Sequence, residues 1–144
     1  MNAEGSVRRV SSTLPTTDEI YRLIDSLSDR SDHLARIAAM AALRDSRDPR
    51  AVIPLTICCR DENIDIRRHA VKALAAIRSV RSVPVLRELA KDRDEDFVVR
   101  RTALSALADI KAYHALNGLS DLAKDDNEDP AIRNLAARIL LPKK

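Results

Sequence analysis

The sequence predicts an all-α solenoid of four stacked helix pairs. Two observations predict it. The first is a recurring segment, IRRHAVKALAAI at 66–77. Its Arg67, Ala70 and Leu74 have counterparts in Arg36, Ala39 and Leu43, in Arg100, Ala103 and Leu107, and in Arg133, Ala136 and Leu140, at offsets of 31, 33 and 33 residues. The second is another apolar-striped segment ahead of each copy. A repeat of this period marks a stack, because one helix pair cannot bury both of its apolar faces and neighbouring pairs bury them together.

The elements follow in chain order. Residues 1–16 read as a flexible tail, rich in Ser and Thr with Gly5 and Pro15 and without periodicity. The first helices of the four pairs are predicted at 18–27, 49–59, 81–90 and 112–123. Ile20, Leu23, Ile24 and Leu27 form the stripe of the first. Val83, Leu86, Leu89 and Ala90 form that of the third, and Leu116, Leu119, Leu122 and Ala123 that of the fourth. The second helices carry the recurring segment. In the second pair Ile66, Ala70, Ala73, Leu74 and Ile77 share one face. Four residues before each recurring Arg stands Asp32, Asn63, Asp96 or Asp129, a residue type whose side chain accepts from free amides of the first turn. Pro130 follows at the first helical position, where its missing N–H is harmless. Pro54 and Pro84 lie near helix starts and predict no more than a mild kink. Gly118 predicts a helix weakened by about 1 kcal/mol relative to Ala. The repeats run at about 17–45, 46–78, 79–110 and 111–141, and 142–144 is a short C-terminal tail.

Composition fits this plan. The chain has 144 residues, 45% apolar and 33% charged, with 2 Gly and 2% aromatics, as a helical core of Ala and Leu requires. No apolar run approaches a membrane span, and no signal segment follows Met1. Cys58 and Cys59 are adjacent and read as two small core residues. That usage points to a reducing, cytoplasmic setting.

The turns sort by charge. Turns inside pairs collect acids, such as Asp61, Glu62 and Asp65, or Asp92, Asp94, Glu95 and Asp96. Turns between pairs collect bases: Arg44, Arg47 and Arg50, then Arg78 and Arg81, then Lys111. Acids favour helix N-termini and bases favour C-termini, which is a sufficient structural reason for the two edges.

An acidic turn followed by V-R-x-x-A-x-x-A-L stands at 61–74, DENIDIRRHAVKAL, and at 94–107, DEDFVVRRTALSAL. This pattern resembles HEAT repeats, specifically the short kind named after phycobilisome lyases. The resemblance covers about 17–141. Ala35, where the family prefers Val or Ile, and Ile139, where the other repeats have Ala, depart from it. It implies a right-handed superhelix whose second helices line the inner face. It also implies a structural ladder in which Arg36, Arg67, Arg100 and Arg133 pair with acids of the adjacent turn, Asp61 or Asp65 for Arg67 and Asp94 or Asp96 for Arg100.

For function, chemistry is absent from the sequence. There is no HExxH, CxxC, glycine-rich phosphate loop or GxSxG. His33, His69 and His114 fall in different pairs, so neither a metal site nor any other cofactor is predicted. The His-Glu metal motifs of deoxyhypusine hydroxylases, which share the repeat type, are missing. The reading is a non-catalytic protein-binding module, an adaptor, scaffold or accessory subunit. The candidate inner face is Ile37, Ala41, Arg68, Lys72, Arg101, Ser105, Asn134 and Arg138. It is apolar at one end and basic across the rest, which suits an acidic protein partner, with Arg68 and Arg101 as the expected anchors. Exposed stripe near Leu135, Leu140 and Leu141 would allow weak self-association through an end of the stack. Two alternatives stay open: a bilin lyase or isomerase subunit, which the resemblance allows, and binding to a nucleic-acid backbone. The latter has modest support from a net charge of +3 and little from the scarce aromatics.

Overall fold

The computed structural model describes residues 13–110 and 113–141. Most of the expected N-terminal tail, the C-terminal tail and Lys111 lie outside the described residues. Among the described residues all regular structure is helical. The helices are α1 (Thr17–Ser26), α2 (His33–Ser46), α3 (Val52–Cys58), α4 (Ile64–Ile77), α5 (Val83–Lys91), α6 (Phe97–Ile110), α7 (Tyr113–Leu116), α8 (Leu119–Lys124) and α9 (Pro130–Leu140). None of them is long and apolar enough to cross a membrane.

Five of the helix starts have a side-chain cap. Thr16 and Glu19 form a capping box ahead of α1, the hydroxyl accepting from the Glu19 amide and the carboxylate accepting from the Thr16 amide. Asp32 accepts from the Ala35 amide, Asn63 from those of Asp65 and Ile66, Asp96 from that of Val99, and Asp129 from those of Ala131 and Ile132.

The second and third pairs open with the short 3-10 turns Pro49–Ala51 and Val80–Ser82 rather than with continuous α-helix. A proline ring clashes with the carbonyl four residues back. For Pro54 and Pro84 those carbonyls belong to Arg50 and Val80, both inside the 3-10 turns. α2 and α4 end on Arg47 and Arg78, at φ 54° and 60°. Both stand in the left-handed position usually given to Gly, and both return their amides to the carbonyl of Leu43 or Leu74.

The first helix of the fourth pair departs most from the expectation. It is interrupted at Asn117 and Gly118, with Gly118 at φ 86°, which leaves the short helices α7 and α8. Gly118 is more than a weak helix former here. It takes a left-handed turn, and an added Cβ would stand 2.7 Å from the Lys91 ammonium.

The second helices form the spine. α2 packs on α4, α4 on α6 and α6 on α9, while each first helix packs on its own partner. Ala39, Ala70, Ala103 and Ala136 recur where these helices meet, and all four are buried. Leu43, Leu74 and Leu107 are fully buried beside them. Small residues at the crossing set the close approach, and a larger side chain has nowhere to go. Ala70→Leu should therefore destabilise the stack by about 1–3 kcal/mol, read from the denaturant midpoint. An unchanged midpoint would mean that this Ala does not lie at the crossing.

Candidate functional site

The recurring Arg ties each pair to the next. It stands one turn inside the second helix, and its side chain leans toward the helix N-terminus, into the gap between pairs. Arg36 Nη2 donates to Asp61 Oδ2 at 2.8 Å, and its Nε donates to the Leu27 carbonyl. Arg67 makes a forked pair with Glu95 and donates through Nη1 to the carbonyls of Asp61 and Glu62. Arg100 donates from Nη1 and Nη2 to the two oxygens of Glu128, both at 2.8 Å, and to the Ala90 carbonyl. Each Arg thus closes the turn of its own pair and grips a carboxylate of the following one.

This corrects the expected partners. Arg67 reaches Asp61 only through its backbone and finds its carboxylate in Glu95. Arg100 pairs with Glu128 rather than with Asp94 or Asp96. Stacking brings the turn of the following pair beside the Arg, and the sequence period alone does not say which neighbour the side chain reaches. Among the described residues, Arg133, the fourth of the set, has only Asp126 as an ion-pair partner, at 3.9 Å.

Two acids of this ladder, Glu128 and Asp61, are held ionised. The Arg100 guanidinium, with help from the Asp129 amide, holds the Glu128 carboxyl below its ordinary range against the effect of burial. For Asp61, burial pushes upward, but the Asn63 amide and Arg36 together hold it low. Arg68 holds Asp96 low.

That last pair alters the candidate face. Arg68 donates to both oxygens of Asp96, at 3.0 and 2.8 Å, and lies 3.8 Å from Asp65. It forms a second rail of the ladder and is not a free anchor. Ile37 and Ala41 are half-buried, with Ile37 against the core. Lys72, Arg101, Ser105, Asn134 and Arg138 are exposed. Among the described ion pairs none involves Lys72, Arg101 or Arg138. The same side of the spine exposes Leu34, Ile64 and Phe97 at the starts of α2, α4 and α6.

The acidic edge is largely paired within the protein. Beyond the ladder, Arg60 meets Glu88 and Arg93 meets Asp125. The basic edge is partly paired. Arg50 holds Asp48 and lies over the Tyr21 ring, 5.4 Å from its centroid, while Arg78 donates to the Asp109 carbonyl.

Sequence reasoning missed one concavity. A groove of 480 Å³ between the first two pairs is lined by Ile24, Ile53, Pro54, Ile57 and Cys58, with the Arg36–Asp61 pair in its wall. Ile53 and Ile57 are exposed, and their spacing of four along α3 was the available signal. Cys58 and Cys59 are buried free thiols. Burial pushes both upward, Cys59 to about 12, so neither is a nucleophile at neutral pH. The His69 ring lies 2.7 Å from the Asp65 carbonyl, and His33 lies beside Asn63. Among the described residues, no group of three or more His, Cys, Asp or Glu is arranged to hold a metal ion.

Comparison with known proteins agrees with this architecture. No curated protein matches the chain in sequence. Among solved structures, human deoxyhypusine hydroxylase in complex with glycerol superposes with a TM-score of 0.74 at 25% identity, over 89% of this chain. The chain spans 44% of the length of that hydroxylase. The family model for HEAT repeats matches residues 20–99, more than half of the chain. With its forward-reaching Arg ladder and Ala-lined spine, the chain belongs to the HEAT-repeat family.

Proposed function

We propose that the protein is a non-catalytic interaction scaffold that takes an acidic segment of a partner protein along the exposed side of α4, α6 and α9. The observation that supports this is the contrast among its cations. Arg36, Arg67, Arg100 and Arg68 are all engaged, whereas Lys72, Arg101 and Arg138 are exposed on one side of the spine with no ion-pair partner among the described residues. Cations at the centre of such a face steer an acidic partner, and exposed Ile64 and Phe97 beside them supply apolar contact. Arg101 is the anchor in this reading, and Lys72 replaces Arg68 as the second.

The likeness to a hydroxylase carries the fold and not its activity. The chain spans less than half of that enzyme, and its described residues offer no metal-holding cluster.

The test is affinity capture from native lysate with nuclease treatment, comparing the wild type with Lys72→Glu, Arg101→Glu. The expected result is a protein held by the wild type and lost by the variant, with an unchanged denaturant midpoint, since both side chains are exposed. Capture that disappears with nuclease in both would turn the reading to nucleic acid. Equal capture of one protein by both would move the site off this face.

A further inference from the structure

Two cations of the third pair converge on one point. Arg87 and Lys91 stand one turn apart on α5, the first half-buried and the second exposed. A Cβ built on Gly118 would lie 2.7 Å from the Lys91 ammonium and 3.3 Å from Arg87 Nη2, so both cationic ends share the small space over that turn. Gly118 leaves the space open, because it has no side chain and takes a left-handed φ of 86°.

Left alone, this arrangement is unfavourable. Like charges four residues apart on a helix repel. Among the described residues neither Arg87 nor Lys91 has an ion-pair partner. Glu88, between them in sequence, pairs with Arg60 instead, and Arg93 beyond them pairs with Asp125. Arg87 Nε is buried without an acceptor, alone among the buried side-chain nitrogens and oxygens of the described residues. Arg50, Arg67 and Arg68 show the contrast, since each holds a carboxylate along its Nε and Nη2 edge. Lys91 closes α5, where a cation suits the helix dipole. Arg87, in mid-helix, has no such reason. Two adjacent uncompensated cations, one with an unmet buried donor, call for an anion from outside the chain.

We propose that Arg87 and Lys91 bind a phosphate dianion over the Gly118 turn, either as inorganic phosphate or as the terminal group of a small phosphomonoester. Two cations match the nearly two negative charges of a phosphate group at neutral pH, whereas one carboxylate would leave a charge unmatched. Water does not reach Nε, so the phosphate oxygens meet the outer guanidinium nitrogens and Lys91 Nζ. Bound there, the anion removes the repulsion between the two side chains. The site shares no residue with the Lys72 and Arg101 face, so this inference and the function proposed above stand or fall separately.

The test is a titration of the full chain with inorganic phosphate at neutral pH and constant ionic strength, balanced with chloride and followed by amide NMR shifts. The Gly118 and Leu119 amides should move along a saturating curve with its midpoint below about 10 mM. Arg87→Met and Lys91→Gln should each raise that midpoint about tenfold, and Arg101→Gln should leave it in place. Without phosphate, Arg87→Met should leave the unfolding midpoint unchanged or higher, because it removes an unmet donor and a repulsion and keeps the aliphatic contact. Glycerol phosphate is the second probe. Tighter binding than inorganic phosphate identifies a phosphomonoester as the ligand, and equal or weaker binding identifies inorganic phosphate. Shifts that never saturate, or a Lys91→Gln midpoint equal to that of the wild type, overturn the proposal. A lower unfolding midpoint of Arg87→Met without phosphate makes Arg87 a structural residue and overturns it as well.

Discussion

Replacing Glu128 by Gln should cost the fold about 3–5 kcal/mol, the usual effect of leaving one buried charge without its partner. The side chains of Arg100 and Glu128 are 5% and 1% exposed, so water cannot replace the lost carboxylate. The Ala90 carbonyl remains as an acceptor for the guanidinium, but no counter-charge remains. Denaturant titration would show this as a lower midpoint. A double replacement, Arg100→Met with Glu128→Leu, should recover much of the loss, because an apolar pair of similar volume needs no counter-charge. Failure to recover would point to the hydrogen bonds, and not the charge, as the larger contribution.

The same pair sets a pH dependence. The folded carboxyl of Glu128 lies below its ordinary value of 4.5, so the folded state binds its proton less readily than the unfolded chain. The stability it contributes is fully present above about pH 4.5 and is lost as pH falls through the folded value. Asp61 and Asp96, held below 3.8, act in the same direction at slightly lower pH. Acid unfolding should therefore be steep below pH 4.5 in the wild type and shallower in Glu128→Gln, where one of these protons has been removed from the balance.

The second large effect is expected at Leu74. It is fully buried, and truncation to Ala leaves a cavity in the core of the stack. A loss of about 2–5 kcal/mol is expected, measured by the same titration. The repeat provides its own control. Leu140 occupies the matching place in the last pair and is 38% exposed, so Leu140→Ala should cost under about 1 kcal/mol. Similar losses at the two positions would show that Leu140 is covered in solution.

Much of the fold is legible because its signals repeat. Asp32, Asn63, Asp96 and Asp129 recur ahead of helices, and Ala39, Ala70, Ala103 and Ala136 recur at the crossings. A coincidence in one pair would mean little, but four in register define the architecture. What the sequence leaves open lies between pairs. Arg67 has acids on both sides along the chain, and only stacking decides that Glu95 is the one it meets. Arg68 resembles a free cation until Asp96, 28 residues on, arrives beside it. The groove at Ile53 and Ile57 depends on how far two pairs diverge, which no periodicity encodes. The candidate face was drawn from helical register, which places Lys72 and Arg101 on one exposed side but does not say which cations are already engaged.

The interruption at Gly118 has a consequence for motion. α7 and α8 each span fewer than two turns, too short to sustain themselves against fraying. Their amides are protected only as long as Leu119 and Leu122 stay seated against the neighbouring helices. The fourth pair is therefore expected to open first in local fluctuations, and its amides should exchange with solvent deuterium faster than those of α4 and α6.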